Sequence, residues 1–342
     1  MGLQISEIIT KKELDFKDLK GKTLAVDAFN AIYQFLTTIR QPDGTPLKDS
    51  KGNVTSHISG LFYRNMNLIL QGIKLIYVFD GEPPKLKGKT HEIRKEARDQ
   101  AKEKYEKAVK DEDIESMGKY SRSEVYLDEQ KIKESKELLE AMGIAIVQAP
   151  GEGEAQASLL SQNNGIYAVA SQDYDCLMFK APKLIQNMSL SRKRKTPSGY
   201  VDIEPQLIEL QAVLNELEIN QEQLICIGII CGTDYNPGGI KGLGPKKSLK
   251  IVKEYKTKED IFKTLDSDEK FEKYEVNFDW VPIYEEIINP NVTKDVKIEF
   301  PEINEDKIKD ILTKYEFSES RIESQLVKLE DLKKAKQQTT LF

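Results

Sequence analysis

Seven carboxylates in this chain stand where an enzyme that cuts phosphodiester bonds with two metal ions would need them. Two of them close short apolar runs, Asp27 at residues 23–27 and Asp80 after residues 75–79. Such runs are typical of buried parallel strands, and open α/β sheets place their sites beyond the carboxyl ends of those strands. The full set is Asp27, Asp80, Glu152, Glu154, Asp173, Asp175 and Asp234.

A cluster of carboxylates is stable only if its negative charge is offset. Carboxylates brought together from separate segments repel one another, and divalent cations are the usual remedy. Oxygen ligands suit Mg²⁺ or Mn²⁺, so the sequence predicts two Mg²⁺ ions that Mn²⁺ can replace. An Asp after a strand is also a common helix cap or turn residue, and any one of these acids could have that role alone.

The composition is that of a globular protein. Charged residues make up 32% of the chain and hydrophobic residues 39%, and no apolar run approaches the roughly 18 residues that span a bilayer. No secretory signal is visible at the start of the sequence. Three cysteines without metal spacing indicate a reducing compartment, and two histidines argue against a zinc site built from His.

The net charge of −6 conceals strongly basic segments. Residues 85–110 contain ten Lys or Arg and five acids, residues 191–195 form a second basic segment, and residues 241–250 form a third. Basic patches beside an acidic centre suit a polyanion held over metal ions. The alternative for residues 95–110 is a charged helix that simply faces solvent.

The hydrophobic pattern predicts an α/β core followed by a helical region. Strands are predicted at 23–27, 75–79, 144–147, 167–170 and 184–186, with helices between them. The charged stretch at 82–127 interrupts that alternation and indicates an insertion over the site. From residue 203 the pattern is helical, at 203–216, 221–231, 245–255 and 258–265, so the sheet is expected to end near residue 200. We therefore expect a core at 1–200, a helical subdomain at 201–330 and a free tail at 331–342.

Short blocks between residue 1 and about residue 255 resemble the flap endonucleases, a family of structure-specific 5′ nucleases of the XPG/Rad2 type. They include VDA at 26–28, IYQFL at 32–36, YVFDG at 77–81, APGEGEA at 149–155, SQDYDCL at 171–177, GTDY at 232–235 and GIKGLGPK at 239–246. The resemblance implies a PIN-like nuclease core, built on a central, mostly parallel sheet with helices on both faces. It also implies that residues 82–127 arch over the site and admit a single strand, and that the turn-rich segment 41–54 contacts a DNA junction.

The resemblance assigns roles to individual positions. Lys87 and Arg94 would act on the scissile phosphate, and their spacing could place both on one helix face. Tyr33 would stack on a base near the cleavage site, although a core aromatic is the alternative. Of the acids, one metal ion would be held by Asp27, Asp80, Glu152 and Glu154, and the second by Asp173, Asp175 and Asp234.

The glycine-rich turn at 239–246 resembles the family's helix–turn–helix element, which holds the backbone of duplex DNA without reading its sequence. Backbone amides in such a turn, and the helix N-terminus after it, attract phosphate. The resemblance also associates a monovalent cation with this turn, whereas the alternative is a tight connection between helices. The residues expected to contact DNA are Gly239, Lys241, Gly242, Gly244, Lys246, Lys247 and Lys250.

The end of the chain resembles the first half of a peptide that binds a sliding clamp of the PCNA type. Gln338 and Leu341 match its first two anchors, but the chain ends at Phe342, before an aromatic pair can be completed. Either Phe342 serves in an abbreviated motif or the tail has no such function.

The resemblance as a whole implies a flap endonuclease with 5′–3′ exonuclease activity that acts in Okazaki-fragment maturation and base-excision repair. Such a protein would be monomeric alone, without a membrane partner, and cytoplasmic in an archaeal source, which we prefer, or nuclear in a eukaryote. One rival is a related exonuclease or excision-repair nuclease. A rival of another class is a non-catalytic nucleic-acid scaffold on the same fold, which the loss of several acids would indicate.

Overall fold

The centre of the protein is a seven-stranded sheet in the order β1-β9-β6-β5-β2-β3-β4. The computed structural model describes residues 3–41, 43–111, 113, 116, 119–120, 126–162, 165–188, 193–196 and 199–339. The strands are β1 (Lys12–Glu13), β2 (Thr23–Asp27), β3 (Lys74–Phe79), β4 (Ala145–Gln148), β5 (Ala168–Ala170), β6 (Lys183–Gln186), β7 (Lys193–Thr196), β8 (Gly199–Asp202) and β9 (Gln206–Glu209). Strands β7 and β8 form a separate antiparallel pair.

The five strands from β6 to β4 run parallel, which confirms the predicted mostly parallel sheet. Strand β9 pairs antiparallel with β6, and β1 pairs antiparallel with β9. In the centre, Asp27 of β2 lies opposite Val78 of β3. Because parallel strands point the same way, the segments that follow β5, β2, β3 and β4 all begin at one edge of the sheet.

Helices connect and cover the strands. They are α1 (Ala28–Thr38), α2 (Ser56–Leu70), α3 (Gly88–Lys110), α4 (Glu129–Ala141), α5 (Gly153–Ser161), α6 (Asp175–Met178), α7 (Leu210–Leu217), α8 (Gln221–Cys231), α9 (Pro245–Tyr255), α10 (Lys258–Ser267), α11 (Trp280–Ile288), α12 (Glu305–Lys314) and α13 (Glu319–Thr339). Helix α3 lies in the predicted insertion, and α8 and α9 are the two helices predicted to flank the glycine-rich turn. Within the described residues, no helix is long and apolar enough to cross a membrane.

Two apolar cores lie on opposite faces of the sheet. Successive strand side chains point to opposite faces, so Leu24 of β2 packs into one core with Phe35 and Leu61 of α1 and α2. Its neighbour Ala25 packs into the other core with Ala157 of α5. Burial on both faces explains why these strands read as continuous apolar runs.

The expectation that the sheet ends near residue 200 and continues as helix from residue 203 is wrong. Residues 206–209 form β9 inside the sheet, and the helix begins only at Leu210. Pro205 disfavours helical backbone at residue 204, and pairing with β6 holds residues 206–209 as a strand. Leu207 and Ile208 are both buried, so the pairing with β6 puts their side chains into the two cores.

Residues 331–339 of the predicted tail continue helix α13, which ends at Thr339. Residues 331–339 contain Leu, Lys, Ala and Gln, which are strong helix formers. The predicted clamp contact at Gln338 therefore lies on a helix, while Leu341 and Phe342 lie outside the described residues.

Candidate active site

Four adjacent strands deliver six of the seven acids to one edge of the sheet. Strand β2 ends at Asp27, and Asp80 directly follows β3. Glu152 caps α5, after the turn that leaves β4, and Glu154 lies in the first turn of that helix. The loop after β5 supplies Asp173 and Asp175, and Asp234 comes from the segment after α8.

Three of the acids are anchored by backbone amides, and one of them is Asp175, whose Oδ1 accepts from the backbone N–H of Leu3 at 3.2 Å. Oδ1 of Asp27 accepts a hydrogen bond from the backbone N–H of Asn30 at 3.1 Å, so this residue is also the cap of α1. Oδ1 of Asp80 accepts one from the backbone N–H of Gly153 at 2.6 Å. A Cβ atom at Gly153 would lie 2.5 Å from that carboxylate oxygen. A side chain at this position would therefore displace the Asp80 carboxylate from its hydrogen bond.

Asn30 and Ser171 join acids from different segments, and neither was predicted as a site residue. Nδ2 of Asn30 donates to Asp173 at 3.1 Å, while its Oδ1 accepts from the backbone N–H of Gln172 at 3.2 Å. Oγ of Ser171 donates to Glu154 at 3.1 Å. Their positions, one turn after Asp27 and two residues before Asp173, were the only available signal.

Lys87 and Arg94 face the acids directly. Arg94 donates from Nη2 to both oxygens of Asp234 at 2.8 Å, and Nζ of Lys87 lies 3.5 Å from the same carboxylate. Lys87 also forms an ion pair with Glu152. It belongs to the short 3₁₀ turn before α3, whereas Arg94 lies within α3. The two cations thus reach one carboxylate, although Lys87 precedes α3 and the two residues do not share a face of one helix.

Tyr235 and Thr90 support this ion-pair network and were not predicted. The hydroxyl of Tyr235 donates to Glu152, and Nζ of Lys87 lies 5.4 Å from the centre of the Tyr235 ring. The hydroxyl of Thr90 donates to the backbone carbonyl of Asp234. Burial and the Glu152 carboxylate raise the pKa of the Tyr235 phenol well above its ordinary value, so it remains a hydrogen-bond donor.

The acids on the sheet side are buried and close together, which disfavours their charged form. Burial and then the repulsion of neighbouring acids raise the pKa of Asp27 and that of Asp175 to about 7. The same causes raise the pKa of Glu154 well above its ordinary value, and burial is the main cause of the raised pKa of Asp80 and Asp173. Burial alone would lower the pKa of the nearby Lys87, but the Glu152 and Asp234 carboxylates outweigh it and raise that pKa.

The chemistry of this site fits divalent metal ions. All seven side chains offer hard oxygen donors, and burial followed by repulsion raises the pKa of Asp27 and Asp175, a cost that a bound dication would offset. Among the residues that the structure describes, no three His, Cys, Asp or Glu side chains already form a group that could hold a metal ion. The ion pairs of Lys87 and Arg94 engage two of the acids, Glu152 and Asp234.

The glycine-rich turn between α8 and α9 depends on glycines with left-handed backbone and close contacts. Gly239 has φ of +52°, and a Cβ atom there would lie 2.3 Å from the carbonyl of Ile230. Gly242 has φ of +90°, and Gly244 precedes the first turn of α9. The lysines expected to contact DNA here are all exposed: Lys241, Lys246, Lys247 and Lys250.

Tyr33 lies apart from these contacts, half-buried on α1 against the core that contains Leu24. Its partial exposure is compatible both with the core role and with stacking on a base. The structure thus brings together the nine residues predicted for metal and phosphate chemistry and leaves the role of Tyr33 undecided.

Comparison with known proteins identifies relatives along the whole chain. The XPG N-terminal domain matches residues 2–101, and the XPG I-region matches residues 143–234. Flap endonuclease 1 of Thermococcus onnurineus (strain NA1) is 48% identical over 344 residues, which cover 100% of this chain and 98% of that protein. Flap endonuclease 1 of Pyrococcus furiosus is also 48% identical, with the same coverage.

Solved structures of related nucleases have a similar fold. Flap endonuclease-1 from Methanococcus jannaschii superposes with a TM-score of 0.73 at 38% identity, over 98% of this chain and 100% of that one. The catalytic core of Rad2, solved in complex with a DNA substrate, superposes with a TM-score of 0.69 at 24% identity, over 94% and 96% of the two chains. At that identity the second likeness shows the fold alone.

Proposed function

The chain belongs to the flap endonuclease family of XPG-type nucleases, and we propose that its seven clustered carboxylates hold two Mg²⁺ ions beside the scissile phosphate. It is a structure-specific flap endonuclease that hydrolyses phosphodiester bonds of DNA. The observation that carries the metal proposal is the group of buried acids with raised pKa values at one sheet edge. Mn²⁺ offers the same preference for oxygen ligands and would substitute.

When bound, the metal ions lower the pKa of an attacking water and offset charge on the attacked phosphate. The acids of β2, β3 and α5 would surround one ion, and those from the β5 loop with Asp234 would surround the other. Asn30 and Ser171 orient two of these ligands through the hydrogen bonds described above. Such supporting contacts fix the direction of a ligand as well as its position.

Lys87 and Arg94 act on the phosphate in this proposal. In the structure Lys87 is paired with Glu152 and Asp234, and Arg94 is paired with Asp234. If these carboxylates held metal ions, the ammonium and the guanidinium would be free to contact the scissile phosphate. Cations held there position the phosphate and offset the charge that develops during hydrolysis.

The remaining surfaces would hold branched DNA. The glycine-rich turn and its exposed lysines suit a duplex backbone, together with a monovalent cation, and residues 82–127 would arch over a single strand. Tyr33 would stack on a base, and residues 41–54 would contact the junction. Phosphate contacts of this kind give affinity and orientation without reading sequence.

The cellular setting follows from the archaeal relatives. We propose that the protein works in the cytoplasm of an archaeon, in Okazaki-fragment maturation and base-excision repair, with additional 5′–3′ exonuclease activity. Gln338, Leu341 and Phe342 would dock on a sliding clamp, which holds the otherwise monomeric enzyme at the DNA.

A labelled flap substrate tests the metal proposal. Cleavage should require Mg²⁺ and stop with EDTA, and Asp173→Ala should nearly abolish it while flap binding remains measurable. Asp128→Ala is the matched control, because Asp128 caps α4 outside the site and should affect only stability. Cleavage by Asp173→Ala at the wild-type rate would remove this residue from the site. Binding without any cleavage by the wild type in Mg²⁺ would favour the scaffold alternative.

A further inference from the structure

The segment at residues 289–304, here called the strap, joins α11 to α12 and runs past the acidic end of α5. Near its start, the carbonyl of Asn291 lies 2.9 Å from the position of a Cβ atom at Gly151. At its end, the backbone N–H of Asn304 donates to the carbonyl of Ala141 at 2.8 Å. The strap therefore contacts the turn before α5 and the end of α4.

Gln156 holds the middle of the strap to α5 by two hydrogen bonds to a single residue. Its Nε2 donates to the carbonyl of Thr293 at 2.9 Å, and the backbone N–H of Thr293 donates to its Oε1 at 2.8 Å. The Gln156 side chain is fully buried. A two-point contact of this kind resists both sliding and rotation, because either movement breaks at least one of the bonds.

The helix turn fixed in this way is the one that carries the acids. The backbone N–H of Gln156 donates to the carbonyl of Glu152 at 3.1 Å, and Glu154 lies only two residues before it. Helix α5 has nine residues, so a change in its position moves both carboxylates. Ala155 and Ala157, before and after Gln156 in the sequence, are packed in the apolar core. Their methyl groups make no hydrogen bonds and so do not fix the orientation of the helix.

We propose that Gln156 is a positioning residue that, through the strap, sets where Glu152 and Glu154 stand relative to the metal ions. The inference rests on the proposed function, because it assumes that these acids are metal ligands. The strap, which belongs to the helical subdomain, would restrain the position of these acids. It lies more than a hundred residues after them in the sequence. Gly151 contributes by allowing the strap backbone to approach closely.

The test compares Gln156→Met with a matched variant elsewhere. Gln223 in α8 is also buried and also makes two backbone hydrogen bonds, accepting from Asn220 at 2.9 Å and donating to Val252 at 2.6 Å. Methionine has a similar size but cannot form either pair of bonds. Binding of Mn²⁺ to the metal-free protein is measured without DNA, from the loss of the electron paramagnetic resonance signal of free Mn²⁺.

We expect Gln156→Met to weaken Mn²⁺ binding by about tenfold or more, the usual effect of losing an outer-shell partner. The Mg²⁺ concentration at half-maximal flap cleavage should rise in parallel, while flap affinity stays unchanged. Gln223→Met should lose a similar amount of stability yet keep wild-type Mn²⁺ affinity. Thr293→Ala should also keep it, because Gln156 contacts only the Thr293 backbone.

Wild-type Mn²⁺ affinity in Gln156→Met would overturn the inference and leave the proposed function intact. Absence of Mn²⁺ binding by the wild-type protein would instead overturn the proposed function. If Gln156→Met does not fold, Gln156→Asn keeps an amide but is too short for both bonds, so it should show the same weakening. Wild-type affinity in that variant would count equally against the inference.

Discussion

Without bound divalent ions, the protein should lose stability as the pH rises from 5 to 8. The pKa of Asp27 and that of Asp175 are raised from 3.8 to about 7 in the folded protein. Between those values the folded protein keeps a proton that the unfolded chain has already released, so folding is favoured at low pH and loses this advantage as the pH rises through 7. A rise of this size corresponds to about 4 kcal/mol for one such carboxyl, of which about 3 kcal/mol is lost between pH 5 and pH 8.

The assay is urea unfolding in EDTA and in Mg²⁺ at several pH values in this range. In EDTA the free energy of unfolding should fall by several kcal/mol between pH 5 and pH 8. Adding Mg²⁺ should restore the free energy of unfolding at high pH and change it little at low pH. Glu134 does not titrate in this pH range. Although burial alone would raise its pKa, hydrogen bonds that include one with His57 lower the pKa to about 2. The stability from Glu134 is lost only as the pH falls below about 4.5 towards 2.

Asp27→Asn is the control for this experiment, because it removes one of the titrating carboxyls without changing its size. It should flatten the pH dependence in EDTA and should be more stable than the wild type near pH 8. A metal-free protein that is equally stable, or more stable, at pH 8 than at pH 5 would refute the reasoning about buried, uncompensated acids.

Three further predictions concern the phosphate, the duplex and the tail. Lys87→Ala and Arg94→Ala should bind a flap within a few-fold of the wild type but cleave it on the order of 100- to 1000-fold more slowly in single turnover; equal losses in binding and rate would place both in the general electrostatic footprint. Replacing Lys246, Lys247 and Lys250 by Ala should lower the slope of log affinity against log salt by up to about three, for every duplex sequence alike; an unchanged slope would mean that these lysines face water. Removing residues 338–342 should leave cleavage intact but abolish stimulation by a sliding clamp, and undiminished stimulation would exclude the tail as the docking peptide.

The sequence could predict those site residues that come directly after a strand. Asp27 and Asp80 were predictable because apolar runs mark β2 and β3, and parallel strands end at one edge of a sheet. The helices on either side of the glycine-rich turn were also predicted with correct bounds, because α8 is an apolar run that is buried on all sides and α9 begins at Pro245 and has one buried face. These features depend on local pattern, which a single sequence records.

The remaining features depend on contacts between distant segments. Strand β9 was predicted as helix because its place at the sheet is decided by pairing with β6, not by its own composition. Asn30 and Tyr235 are ordinary polar residues until folding brings them beside Asp173 and Glu152. The strap contact at Gln156 spans more than a hundred residues, and nothing local marks it.

A crystal structure of the protein with a DNA flap and Mn²⁺ tests the central claim most directly, because the anomalous signal locates each ion. The account predicts two Mn²⁺ ions at the sheet edge, both held by the seven acids, with Lys87 and Arg94 moved from Glu152 and Asp234 to the scissile phosphate. A complex with the flap in place but no ion at these acids, or with both cations still paired to the two carboxylates, would contradict it.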